Sequence, residues 1–159
     1  MKRLIKVQYR RRRENKTDYL ARMQMLKSGK PRLVIRRTNR YITLQIIESK
    51  EAQDKVICSA NSKELLKYGW KNPSSIKNLG AAYLTGYLCA LKSSGKGISP
   101  ILDIGRHMST KGNRIYAAVK GAIEGGLNIN CSEDILPKEE RIKFDKNILE
   151  NIKKANLKS

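Results

Sequence analysis

Hydrophobic and polar residues change rhythm several times along the chain, and each rhythm predicts an element. Beyond Thr17 and Asp18, either of which can cap a helix, Tyr19, Leu20, Met23 and Leu26 recur at helical spacing until Ser28-Gly29 interrupts them. After Lys30-Pro31 the period shortens to two. Leu33-Val34-Ile35-Arg36-Arg37, a Thr38-Asn39 turn and Tyr41-Ile42-Thr43-Leu44-Gln45-Ile46-Ile47 read as a β-hairpin. In its second strand Ile42, Leu44 and Ile46 point one way, while Tyr41, Thr43 and Gln45 point the other. One face is therefore core, and the other is polar, hydrogen-bonding and next to arginines.

A charged turn over 48–54 leads to a third strand, Lys55-Val56-Ile57-Cys58-Ser59-Ala60. A loop with Tyr68-Gly69-Trp70 and Asn72-Pro73-Ser74-Ser75 precedes a helix over about 76–93. Its Leu84, Tyr87, Leu88 and Leu91 keep helical spacing, and Gly80, Ala81, Ala82 and Gly86 permit close packing. Pro100-Ile101-Leu102-Asp103-Ile104 is a short apolar run of the kind found in buried parallel strands. A polar loop over 105–112 feeds a helix with Ile115, Ala118, Val119, Ala122 and Ile123 on one stripe, ended by Gly125-Gly126. Past Pro137 the chain is charged, and Ile148, Leu149 and Ile152 predict a last helix. The expected fold is α/β: a mixed sheet, made of an antiparallel three-strand meander plus at least one parallel strand reached through a helical crossover, with packing helices. The expected division is a basic arm over 1–16, an α/β core over 17–130 and a helical C-terminal extension over 131–159.

Composition narrows the class. With 159 residues, 40% of them hydrophobic and 30% charged, the chain can bury a real core and is neither collagen-like nor disordered throughout. No apolar run approaches the roughly 20 residues of a membrane helix. The opening Met1-Lys2-Arg3-Leu4-Ile5-Lys6 lacks the apolar stretch of a signal peptide, so a cytosolic location is expected. Cys58, Cys89 and Cys131 are odd in number and far apart, and a single histidine adds no ligand cluster; they read as small buried residues rather than a zinc site or disulfides.

Charge changes the picture most. The formal net charge is +20, and residues 1–40 carry +13 of it, with 15 Lys and Arg against Glu14 and Asp18. Tyr9-Arg10-Arg11-Arg12-Arg13-Glu14-Asn15-Lys16 contains four consecutive arginines that the few nearby acids cannot neutralise. Such a run is expected to stay mobile until a polyanion neutralises it. A solvated basic face, a sorting signal and an anionic membrane are the alternatives; the arm has no apolar stripe to suit the last. Arginine favours RNA, because its planar fork pairs with phosphate and stacks on unpaired bases.

Catalytic chemistry finds little to work with. His107 sits beside Arg106 in a polar loop with no nucleophile motif around it. Asp103 ends a strand, where α/β enzymes often place an acid, but two-metal phosphoryl transfer needs several convergent carboxylates. Ser109-Thr110-Lys111-Gly112-Asn113-Arg114 departs from the spacing of a nucleotide-binding loop. It still sets two cations, a glycine and two hydroxyls before a helix N-terminus, a place suited to a backbone phosphate or simply to a cap.

Several blocks together resemble a known family. Arg36-Arg37-Thr38-Asn39-Arg40-Tyr41-Ile42-Thr43-Leu44-Gln45 is similar to the hairpin signature of the eighteenth universal large-subunit ribosomal protein family. Leu102-Asp103-Ile104-Gly105 and Thr110-Lys111-Gly112-Asn113-Arg114, with the helix to Gly126-Leu127, resemble its second block. The arm from Tyr9 to Tyr19, Tyr68-Gly69-Trp70 and Leu136-Pro137-Lys138-Glu139-Glu140-Arg141 resemble its archaeal and eukaryotic branch. One departure is Tyr41, where a histidine is common in relatives; stacking survives that change and protonation does not.

The resemblance implies a ribonuclease H-like core and a structural protein with no reaction to catalyse. It implies docking on 5S rRNA, attachment of that RNA to the large-subunit rRNA in the central protuberance, and contact with neighbouring ribosomal proteins in the cytoplasm. It implies no cofactor, metal, membrane or small-molecule substrate. The expected RNA contacts fall in three regions. Tyr9, Arg10, Arg11, Arg12, Arg13 and Lys16 lie in the arm, with Arg22 on the helix behind it. Arg36, Arg37, Asn39, Arg40 and Tyr41 lie in the hairpin, and His107, Lys111, Gly112, Asn113 and Arg114 in the later loop. The alternatives carried alongside are an RNA-processing nuclease on the same core, dependent on Asp103, and a non-selective RNA chaperone.

Overall fold

The alternation in the hairpin builds the sheet. In a computed structural model of the protein, which describes residues 7–51, 53–71, 76–94 and 97–156, Leu33 and Ile35 of β1 (Arg32–Arg37) are buried. So are Ile42, Leu44 and Ile46 of β2 (Ile42–Lys50) and Cys58 and Ala60 of β3 (Gln53–Asn61). These residues occupy every second position, so one face of the sheet is continuous apolar surface. A bulge between Ile46 and Ile47 shifts the register, and both residues are buried there. The strand order is β3-β2-β1-β4, with β1 antiparallel to β2, β2 antiparallel to β3, and β1 parallel to β4 (Ile101–Asp103). The predicted mixed sheet is present, and the crossover from β3 to β4 runs through α3 (Leu79–Ser93).

Against the apolar face lie α3 and α4 (Arg114–Glu124). Their mutual approach depends on Gly86, one of the small residues anticipated from the sequence, and on Gly121 of α4. A Cβ on Gly86 would stand 1.9 Å from the Ala118 carbonyl oxygen, and one on Gly121 would stand 2.0 Å from that of Tyr83. Only hydrogen fits at either place, so the two backbones touch. Asn113 caps α4 and Asn78 caps α3, each side chain accepting from backbone N–H groups in the first turn.

Four details depart from the sequence reading. The helix predicted from 76 begins at Leu79, because Asn78 takes the capping position. The charged turn predicted over 48–54 is much tighter, since β2 runs to Lys50 and β3 starts at Gln53. A 3-10 turn over Ser62–Tyr68, fastened by a reciprocal Asn61–Glu64 capping box, occupies what reads as loop. β4 is an edge strand with Ile101 and Leu102 only half-buried, and its one buried residue is Asp103. The Asn72-Pro73-Ser74-Ser75 loop and the Met1–Lys6 opening lie outside the described residues.

The C-terminal helix α5 (Lys146–Asn156) buries Ile148 and Ile152 in the same cluster as the sheet residues. Phe144 stacks on Tyr83 with ring centroids 5.1 Å apart. None of the three cysteines is in a disulfide: Cys58 and Cys89 are buried and Cys131 half-buried. Among the described residues no helix is long and apolar enough to cross a membrane.

Candidate nucleic-acid interface

The other face of the sheet begins with the same alternation. Arg32, Val34 and Arg36 point away from the core, and register sets Val34 between Gln45 of β2 and Asp103 of β4. Asp103 therefore lies on that face close to both arginines. Its carboxylate accepts from Arg32 Nη1 at 2.9 Å, Arg36 Nη2 at 3.0 Å and the Gly105 backbone N–H at 2.9 Å. Arg32 is 2% exposed and Asp103 4%, so this ion pair is shielded from water. Among the described residues, Arg32 Nε is buried with no hydrogen-bond partner.

The network continues to α2 (Tyr19–Lys27). Arg32 Nη2 donates to Asp54 at 3.1 Å and to the Ser49 hydroxyl at 3.2 Å, while Arg22 of α2 donates to Asp54 at 2.8 Å. Burial raises the Asp54 pKa, but hydrogen bonds from Ser49 and Arg22 and the charges of Arg22 and Arg32 outweigh it, holding the carboxyl at about 2. Asp18 caps α2 by accepting from the Leu20 and Ala21 N–H groups. No residue of α2 is buried, although Tyr19, Leu20 and Met23 read as an apolar stripe, and the helix is held to the sheet through Arg22.

Three stretches distant in sequence meet at the end of the sheet where the parallel strands β1 and β4 finish. His107 Nε2 accepts from the Arg37 N–H at 3.4 Å, joining the hairpin to the loop after β4. That bond leaves the ring proton on Nδ1 while the imidazole is neutral. Partial burial, then the charges of Arg37 and Arg36, push the His107 pKa below its ordinary value. Lys77 donates to the Asn39 carbonyl at 2.9 Å, and Arg114 donates to the Lys77 carbonyl at 3.3 Å, so the hairpin tip and the start of α4 are neighbours. The arm reaches the same end. Arg11, Lys16 and Thr17 face Gly105, Arg106 and His107 across a cleft of about 500 Å³ that Arg36 and Asp103 also line.

The candidate contacts divide by what already holds them. Tyr9 is 83% exposed, and Arg10–Arg13 form one exposed helical turn, α1, whose Glu14 pairs with Arg10 at 3.7 Å and Lys16 at 2.6 Å. Arg11 Nε donates to Thr17 at 2.9 Å, and Arg12 and Arg13 have no ion pair among the described residues. Arg37, Asn39, Arg40 and Lys111 are exposed, while Tyr41 is half-buried with its N–H donating to Thr38 Oγ1. Others are engaged internally. Arg22 and Arg36 serve the carboxylates described above, and Arg36 also donates to two backbone carbonyls. Asn113 accepts from the Ile115 and Tyr116 N–H groups, so its side-chain oxygen is occupied. Gly112 is buried at φ +66°, and a Cβ there would come within 2.8 Å of the Arg141 guanidinium.

Two residues of this surface escape a sequence reading. Lys77 reads as helix surface, and Arg106 as a bystander to His107; only the fold brings Lys77 to the hairpin and Arg106 to the cleft. Asp103, the acid that a nuclease would require, is engaged by Arg32, Arg36 and Gly105. Among the described residues no group of three or more His, Cys, Asp and Glu side chains is arranged to hold a metal ion.

The sequence matches the family model described as ribosomal large subunit proteins 60S L5, and 50S L18, over residues 3–96 and 91–132. It is 57% identical over 139 residues to the large ribosomal subunit protein uL18 of Korarchaeum cryptofilum, covering 87% of this chain and 70% of that protein. The uL18 proteins of Aeropyrum pernix and Methanoregula boonei are 46% and 49% identical, over 88% and 86% of this chain and 65% and 78% of their own lengths.

Proposed function

This chain belongs to the family of ribosomal large subunit proteins 60S L5 and 50S L18, and from that premise we propose that it binds 5S rRNA and helps attach it to the large-subunit rRNA in the central protuberance. As a family member it is a structural constituent of the large ribosomal subunit. Its partners are 5S rRNA, large-subunit rRNA and adjoining large-subunit proteins, in the cytoplasmic ribosome, and it carries out no reaction there.

The observation that carries this reading is the meeting of the arm, the hairpin and the loop after β4 at one end of the sheet. Each contributes exposed cations, and charge so concentrated on one end favours a polyanion. Two parts of the surface have separate tasks. The hairpin and loop are held by the core and by hydrogen bonds, so they present fixed donors and read RNA shape. The arm has one short helical turn, too little to sustain itself. It takes its final conformation on RNA, with phosphate contacts offsetting the loss of chain entropy. Side chains cannot read a deep A-form major groove, so selectivity comes from backbone shape and unpaired bases.

The test is a titration of the full chain against 5S rRNA and a length-matched unrelated RNA at several salt concentrations. A preference for 5S rRNA that persists where generic electrostatic binding has been screened away is the expected result. Equal affinities that collapse together would refute the 5S assignment and favour a non-selective RNA chaperone.

A further inference from the structure

The cleft between the arm, α2 and the loop after β4 has two kinds of wall. Its floor is apolar, formed by Ala21 and Met25 of α2 with Leu102 and Ile104. Its charged lining includes Arg11, Lys16 and Arg106, with His107 beside them, and the carboxylates of Asp18 and Asp103, which the first turn of α2 and the arginines of β1 already engage. A volume of about 500 Å³ lies within the roughly 300–1,000 Å³ of small-molecule sites, far above what a lone phosphate needs. The chemistry of the walls narrows the occupant. A phosphate alone leaves the floor bare, and an aliphatic side chain leaves Arg106, which has no ion pair among the described residues, without a partner. A nucleotide satisfies both, since its base is a flat apolar face with polar edges and its phosphate is an anion.

Resting on the RNA-binding reading above, we propose that this cleft takes one unpaired nucleotide extruded from the bound RNA, base on the Ala21–Met25–Ile104 floor and phosphate between Arg11 and Arg106. The walls are partly fixed before RNA arrives. Arg22 holds α2 against Asp54, and Asp103 accepts from the Gly105 N–H at the start of the loop. The neutral His107 keeps its Nδ1–H available for a base edge or a phosphate oxygen. Arg106 is exposed, and among the described residues it has no ion pair, so its planar guanidinium is free to stack or to pair with phosphate. The cleft contributes selectivity of a kind that the arm cannot, because an RNA strand must present a free base at the right distance from its duplex contacts.

The experiment uses full-length isotope-labelled protein titrated with adenosine and uridine 5′-monophosphates and, separately, with inorganic phosphate. Saturable shifts of the Ala21, Met25 and Ile104 methyl groups with the nucleotides, but not with phosphate alone, are expected. Ala21→Phe fills the floor from an unburied helix. It is expected to abolish those shifts and lower 5S rRNA affinity at least tenfold, with a salt slope changed by no more than about one phosphate contact. Arg106→Ala, a change on an exposed loop, serves as the second variant and is expected to weaken both. Absence of nucleotide shifts overturns the proposal. So does unchanged 5S rRNA affinity in Ala21→Phe, which would make any nucleotide binding a property of free nucleotides. If nucleotides fill the cleft and Ala21→Phe weakens binding to 5S rRNA and to unrelated RNA alike, the cleft stands and the 5S assignment falls.

Discussion

On the face of the sheet turned toward α3 and α4, Leu33, Ile35, Leu44 and Ile46 are sealed by dispersion and by exclusion of water. On the opposite face, the buried Arg32 and Asp103 and the part-exposed Arg36, Asp54 and Arg22 are joined by charge and hydrogen bonds. The first kind of contact has no direction, so its residues need only the right volume and parity. The second is directional. Asp103 can bridge Arg32 and Arg36 only because β4 pairs with β1 in parallel with Val34 opposite Asp103. The apolar face therefore supplies cohesion, whereas the polar face fixes where β4, its loop and α2 stand. Those placements make the cleft and the cationic end of the molecule.

If that division holds, removing one partner of the buried ion pair should cost as much as a core truncation. Asp103→Ala is expected to lower unfolding free energy by up to about 3–5 kcal/mol, because it removes the buried partner of Arg32 and leaves that charge only the part-exposed Asp54. Leu44→Ala on the other face is expected to cost about 2–5 kcal/mol. Denaturant melts of the two variants compare them directly, and a negligible loss for Asp103→Ala would break the comparison.

A second distinction is pH. The apolar face does not titrate, whereas Asp54 has a folded pKa of about 2 against an ordinary 3.8. Its pKa is depressed on folding, so the stability it contributes is complete above 3.8 and is lost as pH falls toward 2. That contribution is at most about 2 kcal/mol. Urea melts of wild type and Asp54→Asn across this range should converge at the acid end.

The effect at His107 is smaller and has the same sign. Its pKa lies below 6.5, so stability is full above that value and falls as pH drops through the folded pKa. NMR titration of His107 should place its midpoint below 6.5, and Arg37→Ala should move it upward by removing one of the repelling charges.

The smallest expected effect on stability comes from the arm. Replacing Arg10–Arg13 with alanine should change unfolding free energy by no more than about 0.5 kcal/mol, since the turn buries nothing. The same variant should reduce the salt slope of RNA binding by about 3, from four phosphate contacts at roughly 0.7–0.9 each. An unchanged slope would remove the arm from the interface.

Much of this molecule is readable residue by residue. Strict alternation from Ile42 to Ile46 marks the buried face, and the Gly86 and Ala118 pattern marks a close helix crossing. The arginine run, the hairpin and the later loop are recognisable as charge and motif. Within them the sequence does not separate residues that face outward from those the protein uses itself. Arg36 and Arg37 are adjacent, exposed arginines of one strand, yet Arg36 is tied to Asp103 while Arg37 has no ion pair among the described residues. Strand parity separates them, but only the arrival of β4 from more than sixty residues away supplies the acid. Asn113 likewise reads equally well as an RNA ligand and as a cap, and the structure gives its oxygen to the first turn of α4.

What the sequence alone determined is local or collective: strand alternation, helix stripes, caps and a charge excess concentrated in the first forty residues. Each follows from a period of a few residues or from a sum over many, and neither requires knowing which distant segments meet. The tertiary structure decided the rest. It placed β4 at an edge, set Asp103 between two arginines, tied α2 to the sheet through Asp54 and brought Lys77 to the hairpin tip. The reason is geometric. A hydrophobic contact accepts any neighbour of suitable size, but an ion pair or a cleft exists only where particular atoms arrive within about 3 Å of one another. That arrival is set by register and packing across the whole chain.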